Sequence, residues 1–208
     1  MPFGFSRRGT PKPAPGGAPA RRSSGSRGVP FDGLTEDWRL VGRMEIVGRL
    51  SDVLNRRESI AISEVQWAPI DGSEVMTAAP GLERIDPFDL IAVFAGVATL
   101  PAFTDAERAA HKMHKVPYDV ALQMPPFRVV GTVYLFPGSE PERLLDRSTE
   151  LFVPVTDAVA FLGDRPLNDR DVDVVLVNRS YLRGLEQVDR RTVEAARALL
   201  GASEPGTG

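Results

Sequence analysis

Residues Trp38–Val47 read WRLVGRMEIV, and residues Phe127–Phe136 read FRVVGTVYLF. In both, apolar side chains recur at alternate positions around a Val-Gly pair, Val41-Gly42 in one and Val130-Gly131 in the other. Period-two alternation is a strand signature. The match extends outward. Arg49-Leu50-x-Asp52 recurs as Arg143-Leu144-x-Asp146, Ser63-Glu64 as Thr156-Asp157, and Leu90–Val93 aligns with Val174–Val177. The offsets are 89, 94, 93 and 84, so order is kept with small insertions and one shortened loop. One such unit, about 60 residues long, buries little surface alone, whereas two packed together share a larger core.

Further runs complete the β set. Ser59–Trp67 alternates, and Phe88–Val97 is nearly all apolar, as in a strand buried on both faces or against a helix. Val116–Gln123 reads as a strand up to the Pro125-Pro126 break, and Leu151–Leu162, Val172–Val177 and Tyr181–Leu185 follow. Arg49–Asn55 reads as a single helical turn with Leu50, Val53 and Leu54 facing the core. Thr104 and Glu107 form a capping box for a helix that Pro117 ends. Asp189 is the N-cap of a last helix, Arg190–Leu200, with Gly201 past its end and an apolar stripe of Ala195, Ala196, Leu199 and Leu200.

The expected fold is therefore β-rich α+β: two related small β-barrel or curled-sheet modules joined by a helix, with a C-terminal helix. The divisions fall at 1–31 (a disordered basic Pro/Gly-rich tail), 32–103 (β module 1), 104–116 (linker helix), 117–188 (β module 2), 189–201 (C-terminal helix) and 202–208 (a loose end). Residues 1–31 hold six prolines, six glycines and six cations (Arg7, Arg8, Lys12, Arg21, Arg22, Arg27) with no acid. So little apolar surface cannot offset the entropy of ordering. The net charge of −3 thus divides into +6 on the tail and −9 on the remainder.

Of the 208 residues, 42% are hydrophobic, which places the chain among globular proteins. Cysteine is absent, which excludes disulfides, thiolate metal sites and Cys nucleophiles, and makes a cytoplasmic setting the expectation. The longest apolar run, Leu90–Leu100, is too short to cross a bilayer, and no apolar run follows Arg7 and Arg8 as a secretory signal would require. Membrane insertion is not expected.

The segments V-x-G (Val129–Gly131), R-L-x-D (Arg143–Asp146), F-x-P-V-T-D-A (Phe152–Ala158) and L-V-N-R (Leu176–Arg179) resemble uncharacterised bacterial proteins with one or two copies of a small β module. That resemblance spans most of residues 38–188 and implies a fold but no activity. A remoter shape similarity is to Sm-like small barrels, which combine a bent Gly-containing strand, a D-x-x-x-N turn and a strand ending in Arg-Gly. Asp52 with Asn55, and Asn178-Arg179, stand where that similarity places them. In Sm proteins the Asn and Arg help form an RNA-base pocket. Here the first copy has Phe94-Ala95 at the second motif, and the second has Thr149 after Asp146, so neither copy carries the whole set.

Chemical constellations are few. Glu107, His111 and His114 share one face of the expected linker helix and are the candidate metal ligands, opposed by neighbouring Lys112 and Lys115. Asp164, Asp169, Asp171 and Asp173 crowd one loop without calcium-loop spacing, which reads as a solvated turn. No phosphate loop, dinucleotide fingerprint or nucleophile elbow occurs. Most phenylalanines lie within apolar strand runs, where core packing is their default role, and no exposed stacking platform for single strands is evident. The function expected is non-catalytic and cofactor-free: protein interaction, homo-oligomerisation or regulation through β surfaces. The alternative is a nucleic-acid-associated protein whose six tail cations contact phosphate. A metal-dependent enzyme built on His111 and His114 is third.

Overall fold

The alternating runs become strands of one antiparallel sheet in the computed structural model, which describes residues 27–96, 99, 115–146 and 150–200. β1 (Arg27–Leu34), β2 (Trp38–Ile46) and β3 (Ile60–Pro69) form one meander; β7 (Val116–Met124), β8 (Phe127–Leu135) and β9 (Phe152–Leu162) form another. Around them lie β4 (Thr77–Ala78), β5 (Arg84–Ile85), β6 (Ala92–Gly96), β10 (Arg165–Pro166), β11 (Val172–Asn178) and β12 (Gly184–Gln187). The hydrogen-bonded order is β12-β7-β8-β9-β11-β6-β1-β2-β3-β4, with β5 on β3 and β10 on β9. Two small β-barrel or curled-sheet modules joined by a helix were expected. Among the described residues the pairings instead run as one open path, because β6 and β11 bond to each other.

The Val-Gly pairs lie where each meander bends. Pairing slips between Val41 and Arg43, and again between Val130 and Thr132. Opposite each glycine sits an acid in the left-handed region, Glu64 at φ 53° and Asp157 at φ 51°. A Cβ on Gly42 would lie 2.8 Å from the Ser63 carbonyl oxygen; on Gly131 it would lie 2.8 Å from that of Thr156 and 2.9 Å from Ala158 Cα. Neither backbone can retreat without breaking the ladder. An extra residue on one strand bends and twists it, and the glycine gives the bend room.

After each second strand a short helical piece fills the core. α1 (Leu50–Asn55) buries Leu50, Val53 and Leu54, as its sequence indicates. A 3-10 turn at Pro141–Leu145 buries Pro141 and Leu144. The later correspondence needs revision. Leu90–Val93 does not match Val174–Val177, because β11 bonds to the third strand of its meander, β9, whereas β6 bonds to the first strand of its own, β1. The structural counterparts are instead the 3-10 turns Pro87–Asp89 and Arg179–Tyr181. Asp86 caps the former through the Phe88 N–H, and Asn178 the latter through that of Ser180. Beyond them the Ile91 N–H donates to Leu34 and the Arg183 N–H to Gln123, opening β6 and β12. Tyr181 therefore belongs to a turn, and the strand expected from it begins at Gly184.

β6 and β11 are buried on both faces, as the continuous apolar run implied. Ala92 and Phe94 join Val175 and Val177 in a core with the β7–β9 meander; Val93 and Ala95 join Leu176 in a core with β1–β3 and α1. The expected tail boundary at residue 31 also moves. Val29 and Phe31 are buried core side chains of β1, opposite Met44 and Gly42, and their alternation was masked by surrounding Gly and Pro.

The last helix, α2 (Arg190–Leu199), is capped by Asp189, whose carboxylate accepts the Thr192 N–H at 2.8 Å. It covers Ala121, Val130, Val159 and Phe161 with Val193, Ala196 and Leu200, while Ala195 and Leu199 face solvent, which corrects the expected stripe. Arg190 anchors its first turn, bonding Asp157 at 2.9 Å and Thr132 at 3.1 Å. The expected linker helix, 104–116, lies outside the described residues except for Val116, which opens β7. No helix among the described residues is long and apolar enough to cross a membrane.

Gly131→Ala should lower stability in urea unfolding by about 1–3 kcal/mol, the usual cost of forcing volume into a packed site. Gly184→Ala, whose added Cβ would meet only side-chain atoms at 3.6 Å, should change stability by no more than about 0.5 kcal/mol. Equal losses would dissociate the bend from its glycine.

Candidate interaction surface

Of the polar side chains singled out by the Sm-like similarity, Asp52 is exposed, whereas Asn55, Asn178 and Arg179 are internal staples. Asn55, at the end of α1, donates its amide to the Phe152 carbonyl at 3.1 Å and accepts the Phe152 N–H at 2.7 Å. Asn178, fully buried, donates to the Leu90 carbonyl at 2.7 Å and weakly to Pro87 at 3.3 Å. Each residue thus reaches across from its own meander's segment to the other's. Arg179 donates to the carbonyls of Leu144 at 2.8 Å, Arg143 at 2.6 Å and Asp146, closing off the end of the 3-10 turn. Burial lowers its pKa, against the opposing pull of Glu150 and Asp146. Buried polar groups held by several backbone partners are structural. Arg179 also lines one side of a groove, with Leu144, Asp146 and Glu150.

The other sequence candidates divide by position. Glu107, His111 and His114, together with Arg7, Arg8, Lys12, Arg21 and Arg22, lie outside the described residues. Arg27 begins β1 opposite Ile46. Among the described residues no three His, Cys, Asp or Glu side chains gather as metal ligands. In the acidic loop Asp164, Asp169 and Asp171 are exposed, and the loop is held by Asn168, whose side chain accepts the Ala160 N–H at 2.8 Å and donates to Ala158 at 3.2 Å.

What sequence reading missed is on the surface. Both tryptophans of the chain stack on each other, ring centroids 4.8 Å apart and planes 23° from parallel. Trp38 is 37% exposed and Trp67 39% exposed. Trp38 alternates with Leu40 and Met44, and Trp67 continues the alternating run of Ile60, Ile62 and Val65. However, Trp38 follows directly on the Thr35–Asp37 turn and Trp67 sits near the end of β3, beyond the side chains of the core. The equivalent places in the second meander, four residues before its glycine and three after its left-handed acid, are Phe127 and Ala160, both buried. An exposed aromatic pair therefore stands where the second meander has core.

The surroundings of the pair are apolar and acidic. Val75 and Met76 are exposed on the segment leading into β4, where Thr77 pairs with Trp67. Glu36, Asp37, Asp71 and Glu74 project from the two adjoining turns. Asp37 accepts the Ile70 N–H, which ties those turns together. The Tyr181 hydroxyl, which donates to Phe88 at 3.0 Å, is pushed up in pKa by burial and then by the charges of Glu36 and Asp89. The opposing cation is Arg165, held on the Ile70 carbonyl. Arg39, next to Trp38, is already committed to Asp32 through two bonds, at 2.6 and 3.0 Å. A recess of about 240 Å³ lined by Leu34, Arg39, Ile70, Met76, Arg165 and Leu167 adjoins this face.

A second groove of about 550 Å³ opens where β8 and β9 part, with Tyr134 and Phe136 exposed and Lys115 5.3 Å from the Phe136 ring. Its rim mixes Lys115 and Arg143 with Glu140, Asp146 and Glu150, so it carries no single sign of charge.

Asn178→Ala should lower stability by about 1–3 kcal/mol, since the Leu90 carbonyl and Ser180 N–H would be left buried and unpaired. Urea unfolding followed by circular dichroism measures this; an unchanged midpoint would show that the staple is dispensable. No family model matches the chain, and no curated protein or solved structure matches it significantly.

Proposed function

We propose that this chain is a non-catalytic interaction protein in which two related curled β units present a docking face at the Trp38–Trp67 end. The observation that carries this reading is the stacked, exposed tryptophan pair flanked by Val75 and Met76. Tryptophan is costly to leave in water and is enriched among the residues that dominate binding energy at interfaces. Its neighbours fit the same use, because an apolar centre rimmed by charge resembles the anatomy of interfaces.

The edges of the sheet support docking through side chains. β4 has two residues and β12 has four, and the chain between β4 and β5 turns away at Pro80-Gly81. Short, interrupted edges discourage strand addition. Descent of the two units from one duplicated module is supported by their shared order. β6-β1-β2-β3-β4 and β12-β7-β8-β9-β11 both run fifth, first, second, third and fourth strand. The same order, with a 3-10 turn before the fifth strand, supports an Sm-like shape for each unit. A nucleic-acid role would rest on the basic tail alone, since the rest of the chain carries −9 and repels phosphate.

The test compares the wild-type protein with the Trp38→Ala/Trp67→Ala double variant. Light scattering across a concentration series reads self-association, and affinity capture from a lysate reads other partners. The variant should keep its circular dichroism spectrum and lose any association by at least tenfold, the effect of about 1.4 kcal/mol at a binding hot spot. A wild-type chain that stays monomeric and captures nothing would overturn the reading.

A further inference from the structure

We propose that the N-terminal segment, residues 1–26, docks on the tryptophan face of its own chain and covers it. The proposal rests on reading that face as a docking surface, and it names the first occupant. Three observations favour this segment. The first is charge: residues 1–26 hold Arg7, Arg8, Lys12, Arg21 and Arg22 with no acid, and the face is rimmed by Glu36, Asp37, Asp71 and Glu74 against Arg165. The second is chemistry. Residues 11–15 read PKPAP, and proline-rich segments favour an extended left-handed helix whose ring faces pack on exposed aromatic side chains with little further loss of entropy.

The third is reach. The segment joins the sheet at Arg27, and β1 then runs eight residues toward the Thr35–Asp37 turn beside Trp38. At about 3.4 Å per residue that is roughly 30 Å. The twelve residues from Pro15 to Arg27 span about 37 Å as an extended proline-type helix, enough to return along β1 and lay PKPAP across the ring pair. The cations before and within that stretch, Arg7, Arg8 and Lys12, then fall near the acidic turns, while Arg21 and Arg22 lie part-way along β1. The dependence on charge makes the docking sensitive to salt.

The chain supplies its own reporters. It has no cysteine, so Ala14→Cys in the full-length protein accepts a nitroxide at one place, and Trp38 and Trp67 are the only tryptophans to be quenched. Docking should at least halve tryptophan emission relative to the unlabelled Ala14→Cys protein, with recovery in 1 M sodium chloride. Changing Arg7, Arg8, Lys12, Arg21 and Arg22 to Glu in the labelled full-length chain should abolish the quenching while leaving the circular dichroism spectrum intact. Emission unaffected by the label, or quenching that survives both salt and charge reversal, would overturn the proposal. These readouts differ from partner binding: a face that associates with other chains but shows no quenching refutes the self-docking alone. Quenching in a protein that associates with nothing refutes the interaction reading and leaves the cover.

Discussion

Everything in this fold hangs on the pairing of β6 with β11. There a strand bonded to the β1–β3 meander meets a strand bonded to the β7–β9 meander, and side chains alternate between two cores. Ala92 and Phe94 point into the core of the second unit, and Val93 and Ala95 into that of the first. A strand with water on one face tolerates polar residues at every second position; the stretches Ala92–Ala95 and Val174–Val177 hold none. That constraint explains the unbroken apolar run from Leu90. It also explains the buried amides on either side of the junction. Asn55 and Asn178 satisfy backbone groups that the join leaves without ladder partners, so the two units are held by hydrogen bonds as well as by packing.

The bend in each meander follows from a smaller constraint. Gly42 and Gly131 face carbonyl oxygens at distances that no Cβ can share, and the opposing acids adopt the left-handed backbone that a bulge requires. The conformational cost of Glu64 and Asp157 is set against the ladder bonds preserved on either side. In the second unit the acid gains a further role, because Asp157 receives Arg190 and thereby fixes the start of α2. A cation at a helix N-terminus is unfavourable to the helix dipole, and the carboxylates of Asp157 and Asp119 offset it.

How far the sequence could be read follows from which constraints are local. The Val-Gly pairs, α1 with its three buried side chains, the Pro125-Pro126 hairpin and the Asp189 cap each depend on a few neighbouring residues, and each was legible. The order of strands was not, because a pattern of alternation does not say which edge a strand joins. Leu90–Val93 and Val174–Val177 look alike since both are buried on two faces, yet one is a fifth strand and the other a fourth. The quieter signal was the capped turn: Asp86 and Asn178, each accepting an N–H two residues on, mark the true equivalence. For the candidate site, Asn178 and Arg179 were found by their sequence but not their role. Only their distant partners, Leu90 and the carbonyls of residues 143–146, show that they are structural.

The tryptophans carry the last step. The two units share strand order and bend, yet at equivalent places one has Phe127 and Ala160 in its core and the other has Trp38 and Trp67 in water. If the first unit needed only stability, small or polar side chains at an exposed strand end would serve with less penalty for hydration. Two large rings stacked on each other bury part of their own area and leave a flat remainder, with acids from two turns around it. That remainder gains free energy only when something covers it. A basic, proline-rich segment tethered to the same chain has the charge, the shape and the length to do so, and tethering raises its local concentration without any new contact. The unequal charge of tail and body then has a physical meaning: the positive end is complementary to the negative rim of the face it would cover.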